Sequence, residues 1–282
     1  MTVKIVIDTT ACLPRDYIAA HKLPLIPQII IFGEDSYRDD TEIDLTTFLQ
    51  KLRTSPHFPK TAAPPPALYQ PIYEELAAEN NTILVLAPSA EVSGTVRSAT
   101  IAAQDFPGAD IRVYDTRTIG GGLASMIMKA VDMAEAGADA DAIIAKMDAM
   151  KKAGRIFFLV NTLEYLQKGG RIGKAKSMIG GLLQVKPILT VEDGVVSPFD
   201  SQRTQKKAIS HLMELIQKEC PHSPNSYLNV MQAEAEEQAH SLAKELETVM
   251  GIPHVPVYDL HIAIVVHGGP GVLGFCYFVD EA

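Results

Sequence analysis

Tryptophan is absent from this chain and cysteine is scarce. The three cysteines, Cys12, Cys220 and Cys276, are odd in number and far apart, which speaks against a disulfide framework and leaves no zinc-module spacing. No apolar run approaches the ~20 residues that a membrane-spanning helix needs. An excess of cations is missing too. A net charge of −9 makes nucleic acid a poor partner, because counterion release requires many clustered Lys and Arg side chains. Enzyme signatures are also lacking. The stretch GGRIGKAK fails as a phosphate loop, since Lys168 stands where the first glycine belongs and Ala175 where Ser or Thr belongs. In GGGLAS the third glycine of a dinucleotide fingerprint is replaced by Ser125. There is no Gly-x-Ser-x-Gly elbow, no His-Glu-x-x-His and no Cys/His pair at metal spacing, so no metal site is expected.

What is present is an ordinary globular composition, 47% hydrophobic and 21% charged over 282 residues, enough for one large or two medium domains. The opening MTVKIVIDTT reads as a strand rather than a signal peptide, and the cytoplasm is the expected compartment. Strand patterns (VKIVID, IIIF, TILVLA, IRVYD) alternate with helical ones, among them about Leu68–Glu79, a helix opened by GGG and closed by Gly137, and one capped near Asp139 or Asp141. That alternation predicts parallel βαβ units. After Gly154 the pattern changes. A strand RIFFLV precedes a short helix with Asn161 and Glu164 as capping box, and KPILTV and GVVSPF form a hairpin turning at Glu192-Asp193-Gly194. Helices over about Thr204–Glu219 and Glu234–Met250 accompany strands NSYLNVM, IAIVV and LGFCYFV. The expected fold is α/β in two domains, a parallel βαβ domain over 1–155 and a mixed α+β domain over 156–282.

Small hydroxylic residues and glycines mark element ends. Ser93, with Gly94 and Thr95 behind it, stands where a helix begins, either as its N-cap or as part of an anion site. Thr61 ends a loop that prolines stiffen. His267 precedes Gly268, Gly269, Gly271 and Gly274, placing an imidazole at an expected strand end where the backbone can turn beside a ligand. From Tyr165 to Val191 there is no acid, while Lys168, Arg171, Lys174, Lys176 and Lys186 fall inside, either a solvated face or a surface for an anion or partner.

The blocks IVIDTTACLP, KTAAPPP, SAEVSGTVRSA, VYDTRTIGGGLA, LEYLQKGGRIG, KPIL, SQRTQKKA and HGGPGVLG run in the order found in the DegV family, and the chain resembles that family from Val3 to Val279. These are bacterial fatty-acid-binding proteins that serve fatty acid kinase. The resemblance implies a lipid tunnel near the domain junction, with the acyl carboxyl hydrogen-bonded by Thr61 and Ser93 and with Gly94, Arg203, His267 and Gly268 around it. It assigns Arg171 to the kinase or to added phosphate. No cofactor beyond the bound fatty acid is implied, and the expected partners are a separate kinase, an acyltransferase and a transient membrane surface. The family's polar loop residues are replaced by Ala62, Ala63 and Pro66 here, which removes hydroxyls. Two other readings stand beside the carrier: a serine-type acyl hydrolase using Ser93 and His267, and a carrier or sensor of another apolar acid.

Overall fold

The computed structural model describes residues 2–179 and 185–279. Residues 180–184, part of the acid-free stretch, and residues 280–282 lie outside the described set. The first half is built on a parallel sheet of β1 (Val3–Asp8), β2 (Leu25–Ile26), β6 (Thr82–Ala87) and β7 (Ile111–Asp115), in the order β2-β1-β6-β7. All six residues of β6 are buried, as a central parallel strand requires. IIIF departs from the expected βαβ scheme. It forms β3 (Ile29–Phe32) in a separate antiparallel sheet, between β4 (Asp35–Arg38) and β5 (Lys60–Ala62).

The second half is a six-stranded mixed sheet in the order β10-β9-β8-β13-β11-β12. It comprises β8 (Gly154–Leu159), β9 (Lys186–Glu192), β10 (Val195–Gln202), β11 (Asn229–Ala233), β12 (Val257–Asp259) and β13 (Val272–Phe278). Asp193 and Gly194, both at positive φ, make the expected hairpin turn between β9 and β10. Helices Gln205–Glu219 and Glu236–Met250 cover this sheet's outer face, burying Leu212, Ile216, Leu242 and Leu246 against Phe275 and Tyr277.

Two expectations change. IAIVV is not a strand but most of a helix, Ile262–Gly268. Its β-branched run lowers helix propensity by only tenths of a kcal/mol per residue. Burial of Ile262, Ala263, Val265 and Val266 outweighs that preference. Asn161 does not cap the short helix Glu164–Lys168. Its Nδ2 donates to the Pro270 carbonyl, and the Glu164 N–H donates to the Thr162 hydroxyl instead.

The halves meet at the GGG turn, which opens helix Gly121–Glu135. Gly120 has φ +59°, and a Cβ on Gly121 would stand 2.1 Å from the Asn229 carboxamide oxygen of β11. These glycines let the helix end seat on the second sheet, which accounts for them without a dinucleotide. The tip of the β9–β10 hairpin returns the contact, with the Ser89 hydroxyl donating to the Gly194 carbonyl at 2.8 Å. One hydrophobic cluster runs through the seam, from Ile5 and Leu86 to Ile156, Val266 and Phe278. Among the described residues no helix is long and apolar enough to cross a membrane, and no group of three or more His, Cys, Asp or Glu could hold a metal.

Candidate functional site

An apolar cavity of about 110 Å³ lies in this seam. Ile119, Ile156, Phe158, Met231, Leu260 and Ile264 are among its walls, while Met126, Met128 and Met133 are not. Thr61, Ser93, Gly94, Arg171, His267 and Gly268 all line it, although Thr61 and His267 alone are 206 positions apart. Arg203 does not. It is exposed just beyond β10, outside the cavity.

Local folding explains how each group arrives. Thr61 sits on β5, opposite Ile30 of β3, and its Oγ1 is 2.8 Å from His267 Nε2. His267 occupies the last turn of helix Ile262–Gly268, so it stands at a helix end rather than a strand end. Its Nδ1 is buried with no hydrogen-bond partner among the described residues. The Ser93 hydroxyl accepts the Thr95 N–H at 3.3 Å and shares a hydrogen bond with Thr95 Oγ1 at 2.9 Å, at the start of helix Thr95–Ala103. Arg171 ties these parts together. Its Nε donates to the Val92 carbonyl and its Nη1 to the Gly169 carbonyl, each at 3.0 Å. It therefore holds the loop bearing Ser93 to the turn beneath His267, and burial lowers its pKa.

Two of the four glycines that follow His267 make room for the protein itself. Gly269 (φ +78°) packs on the Tyr165 ring and Gly271 (φ +81°) on Asn161, while Gly268 and Gly274 reach the cavity. A Cβ on Gly169 would fall 2.1 Å from His267 Nδ1. A Cβ on Gly94 would stand 3.1 Å from that of Ala63, so the alanine in the altered loop packs closely on the Ser93 turn. The acid-free stretch is less cationic in space than in sequence. Lys168 pairs with Glu164 at 2.6 Å, Lys174 pairs with Glu192 at 2.9 Å, and Arg171 turns inward.

Behind the cavity lies a polar cluster that the sequence reading left without a role. Thr10 and Gln28 line the cavity, and Asp8, Thr95, Asp39 and His261 stand behind them. Asp39 accepts from the Thr9 hydroxyl and the Gln28 N–H and lies 2.9 Å from His261 Nδ1. Burial pushes the Asp8 carboxyl up to about 6, against hydrogen bonds from Thr10 and Thr95 that lower it, with the Asp39 charge adding to the rise. Burial, with the Arg171 charge second, drives His267 down to about 3. The imidazole is therefore neutral at physiological pH.

These shifts predict a pH dependence of stability with two opposed contributions. Between pH 6.5 and about 3 the unfolded chain protonates His267 while the folded one does not, so stability falls as pH falls. Even half of that shift is worth about 2 kcal/mol. Asp8 acts in the opposite sense, because the folded chain keeps its proton up to about pH 6 while the unfolded chain releases it near 3.8. Melting temperatures across pH 4–7 are expected to decline less toward acid in His267→Gln than in the wild type. An unchanged acid slope would mean that the imidazole is solvated in the folded state.

Taken together, the site is an apolar cavity in the seam of a two-part α/β protein, with two hydroxyls and an imidazole among its lining groups. A profile for "Uncharacterised protein, DegV family" matches residues 2–280, and the chain belongs to that family. It is 32% identical to Protein DegV of Bacillus subtilis over 280 residues, 98% of this chain and 99% of that one. A solved structure described as fatty acid binding of a DegV family protein from Thermus thermophilus superposes with a TM-score of 0.90 at 31% identity, covering 99% of this chain and 100% of that one. A stearic acid-binding protein from Eubacterium ventriosum does so with a TM-score of 0.87 at 26% identity, covering 99% of both chains.

Proposed function

We propose that this chain binds one long-chain fatty acid in the seam cavity and holds the carboxylate at Thr61, Ser93 and His267. The observation that carries the reading is the cavity's composition: aliphatic and aromatic walls, closed at one place by two hydroxyls and an imidazole. Burying an acyl chain contributes roughly 0.8 kcal/mol per methylene, so affinity comes from the walls and orientation from the polar end. The solved relatives described as fatty acid-binding support the choice of ligand.

The same reading makes the chain a carrier that presents its carboxylate to a separate ATP-dependent fatty acid kinase and then holds the acyl phosphate for an acyltransferase. Arg171, at the cavity beside His267, is suited to added phosphate charge, and exposed Arg203 to contact with the partner. Hydrolysis by the chain itself finds little support in the geometry. Ser93 bonds to Thr95 and His267 to Thr61, so the Ser93–His267 pair that such a hydrolase would need is not assembled.

Organic extraction of purified, detergent-free protein is expected to release one long-chain fatty acid per chain, identified by mass spectrometry. Recovery of no lipid, together with no binding of added oleate, would overturn the reading.

A further inference from the structure

Asp8 is 2% exposed and ends β1 with its carboxylate pointed at hydroxyls rather than at a cation. One oxygen, Oδ1, accepts from the Thr10 N–H at 2.9 Å and from the Thr10 hydroxyl. The other, Oδ2, lies 3.0 Å from Thr95 Oγ1, which in turn lies 2.9 Å from Ser93 Oγ at the cavity wall. Gln28 Nε2 donates to both Asp8 Oδ2, at 2.8 Å, and Thr95 Oγ1, at 2.9 Å, and so fixes the amide whatever the charge on Asp8.

Each oxygen–oxygen contact in this chain needs one proton. With Asp8 ionised, the Thr95 proton goes to Asp8 and the Ser93 proton goes to Thr95. Ser93 then offers only a lone pair to the cavity, which opposes a ligand carboxylate. With Asp8 protonated the direction reverses: Asp8 donates to Thr95, Thr95 to Ser93, and Ser93 into the cavity.

We propose that Asp8, acting through Thr95, is a proton-coupled positioning residue: loading of an acid's carboxylate is accompanied by uptake of one proton, which turns the Ser93 hydroxyl toward the ligand. This rests on the carboxylate lying at Ser93, as in the function proposed above. The balance is the same if the acid enters neutral. Its O–H bond breaks, each hydroxyl proton moves one oxygen inward, and an O–H bond forms on Asp8 Oδ2. Asp8's burial-raised pKa fits this, since it places the proton within reach of neutral pH. The charged and titratable groups around Asp8 are Asp39, paired with His261; Cys12 and Tyr69, both pushed up chiefly by burial and so uncharged; and, at the cavity, Arg171 and neutral His267. None of the cations contacts Asp8 among the described residues, so the carboxyl responds to the ligand's charge without a compensating pair.

The test is calorimetric titration of oleate into full-length protein at pH 7 in buffers of different ionisation enthalpy, with affinity followed from pH 6 to 8. The wild type is expected to take up most of one proton per oleate at pH 7 and, as linkage then requires, to bind more weakly at pH 8 than at pH 6 by roughly twentyfold or more. Asp8→Asn, whose amide cannot gain or lose a proton in this range, is expected to lose the uptake and flatten the profile. Thr95→Val, which removes the middle hydroxyl, is expected to do the same and serves if Asp8→Asn does not fold. Uptake that persists in both variants and disappears in His267→Gln would overturn the proposal, as would wild-type binding without proton uptake. A wild type that binds no oleate would instead remove the fatty-acid reading on which this one rests.

Discussion

Removing both hydroxyls, Thr61→Ala with Ser93→Ala, is expected to lower the affinity for a long-chain acid by a hundredfold or more while leaving the affinity for the corresponding methyl ester nearly unchanged. A hydrogen bond to a charged group contributes about 1.5–3 kcal/mol, and two are lost. The free energies will not add fully, because both residues sit in shared networks. Thr61 is the partner of His267 Nε2, and Ser93 is the partner of Thr95. The ester retains the aliphatic burial and lacks the charge, so it separates headgroup binding from chain binding. Equilibrium binding of both ligands to the folded double variant decides the matter, and unchanged acid affinity would place the carboxylate elsewhere in the cavity.

The second large effect is expected at Gly169, a position that touches no ligand. Gly169→Ala keeps an ordinary backbone, since φ there is −75°, so the whole effect is steric. Its methyl would fall 2.1 Å from His267 Nδ1 and 3.0 Å from both the imidazole Cε1 and the Tyr165 carbonyl. The imidazole must then swing off Thr61. A loss of about 1–3 kcal/mol in stability is expected, as for other overpacked sites, together with at least a tenfold loss of acid affinity. Adding His267→Ala should recover most of the lost stability but not the affinity. Denaturant unfolding of the two single variants and the double variant gives the coupling energy, and strict additivity would show that the two residues do not collide.

Much of the site was legible through the order of its motifs. A serine and a glycine where a helix begins, a threonine before prolines and a histidine before glycines are weak signals singly; that order, through the family resemblance, singled them out, and the structure gathers Thr61, Ser93, Gly94, Arg171, His267 and Gly268 around one cavity. Arg203 carried the same kind of motif signal but lies on the surface, because nothing local indicates whether a loop arginine turns inward. IAIVV was misread because five β-branched or small apolar residues carry no period, and its helix is decided by what surrounds it. Asp8, Gln28 and Asp39 escaped for a different reason. They lie on β1, on the stretch before β3 and on the segment after β4, and their shared role exists only where those segments converge. The signal available was the Asp-Thr-Thr at the end of a buried strand, an unusual place for a carboxylate with no cation near it.

The hydrophobic cluster that runs unbroken from Ile5 to Phe278 has a consequence for how the molecule opens. Because the cavity lies within that cluster, neither sheet can detach without exposing the other's inner face to water. A bound chain therefore acts on a single cooperative equilibrium, stabilising both halves by the same amount, set by its concentration relative to its dissociation constant. A ligand that enters the cavity is accordingly expected to do so by small excursions at the polar end, of β5 bearing Thr61 and of the loop bearing Ser93, rather than by parting of the two halves.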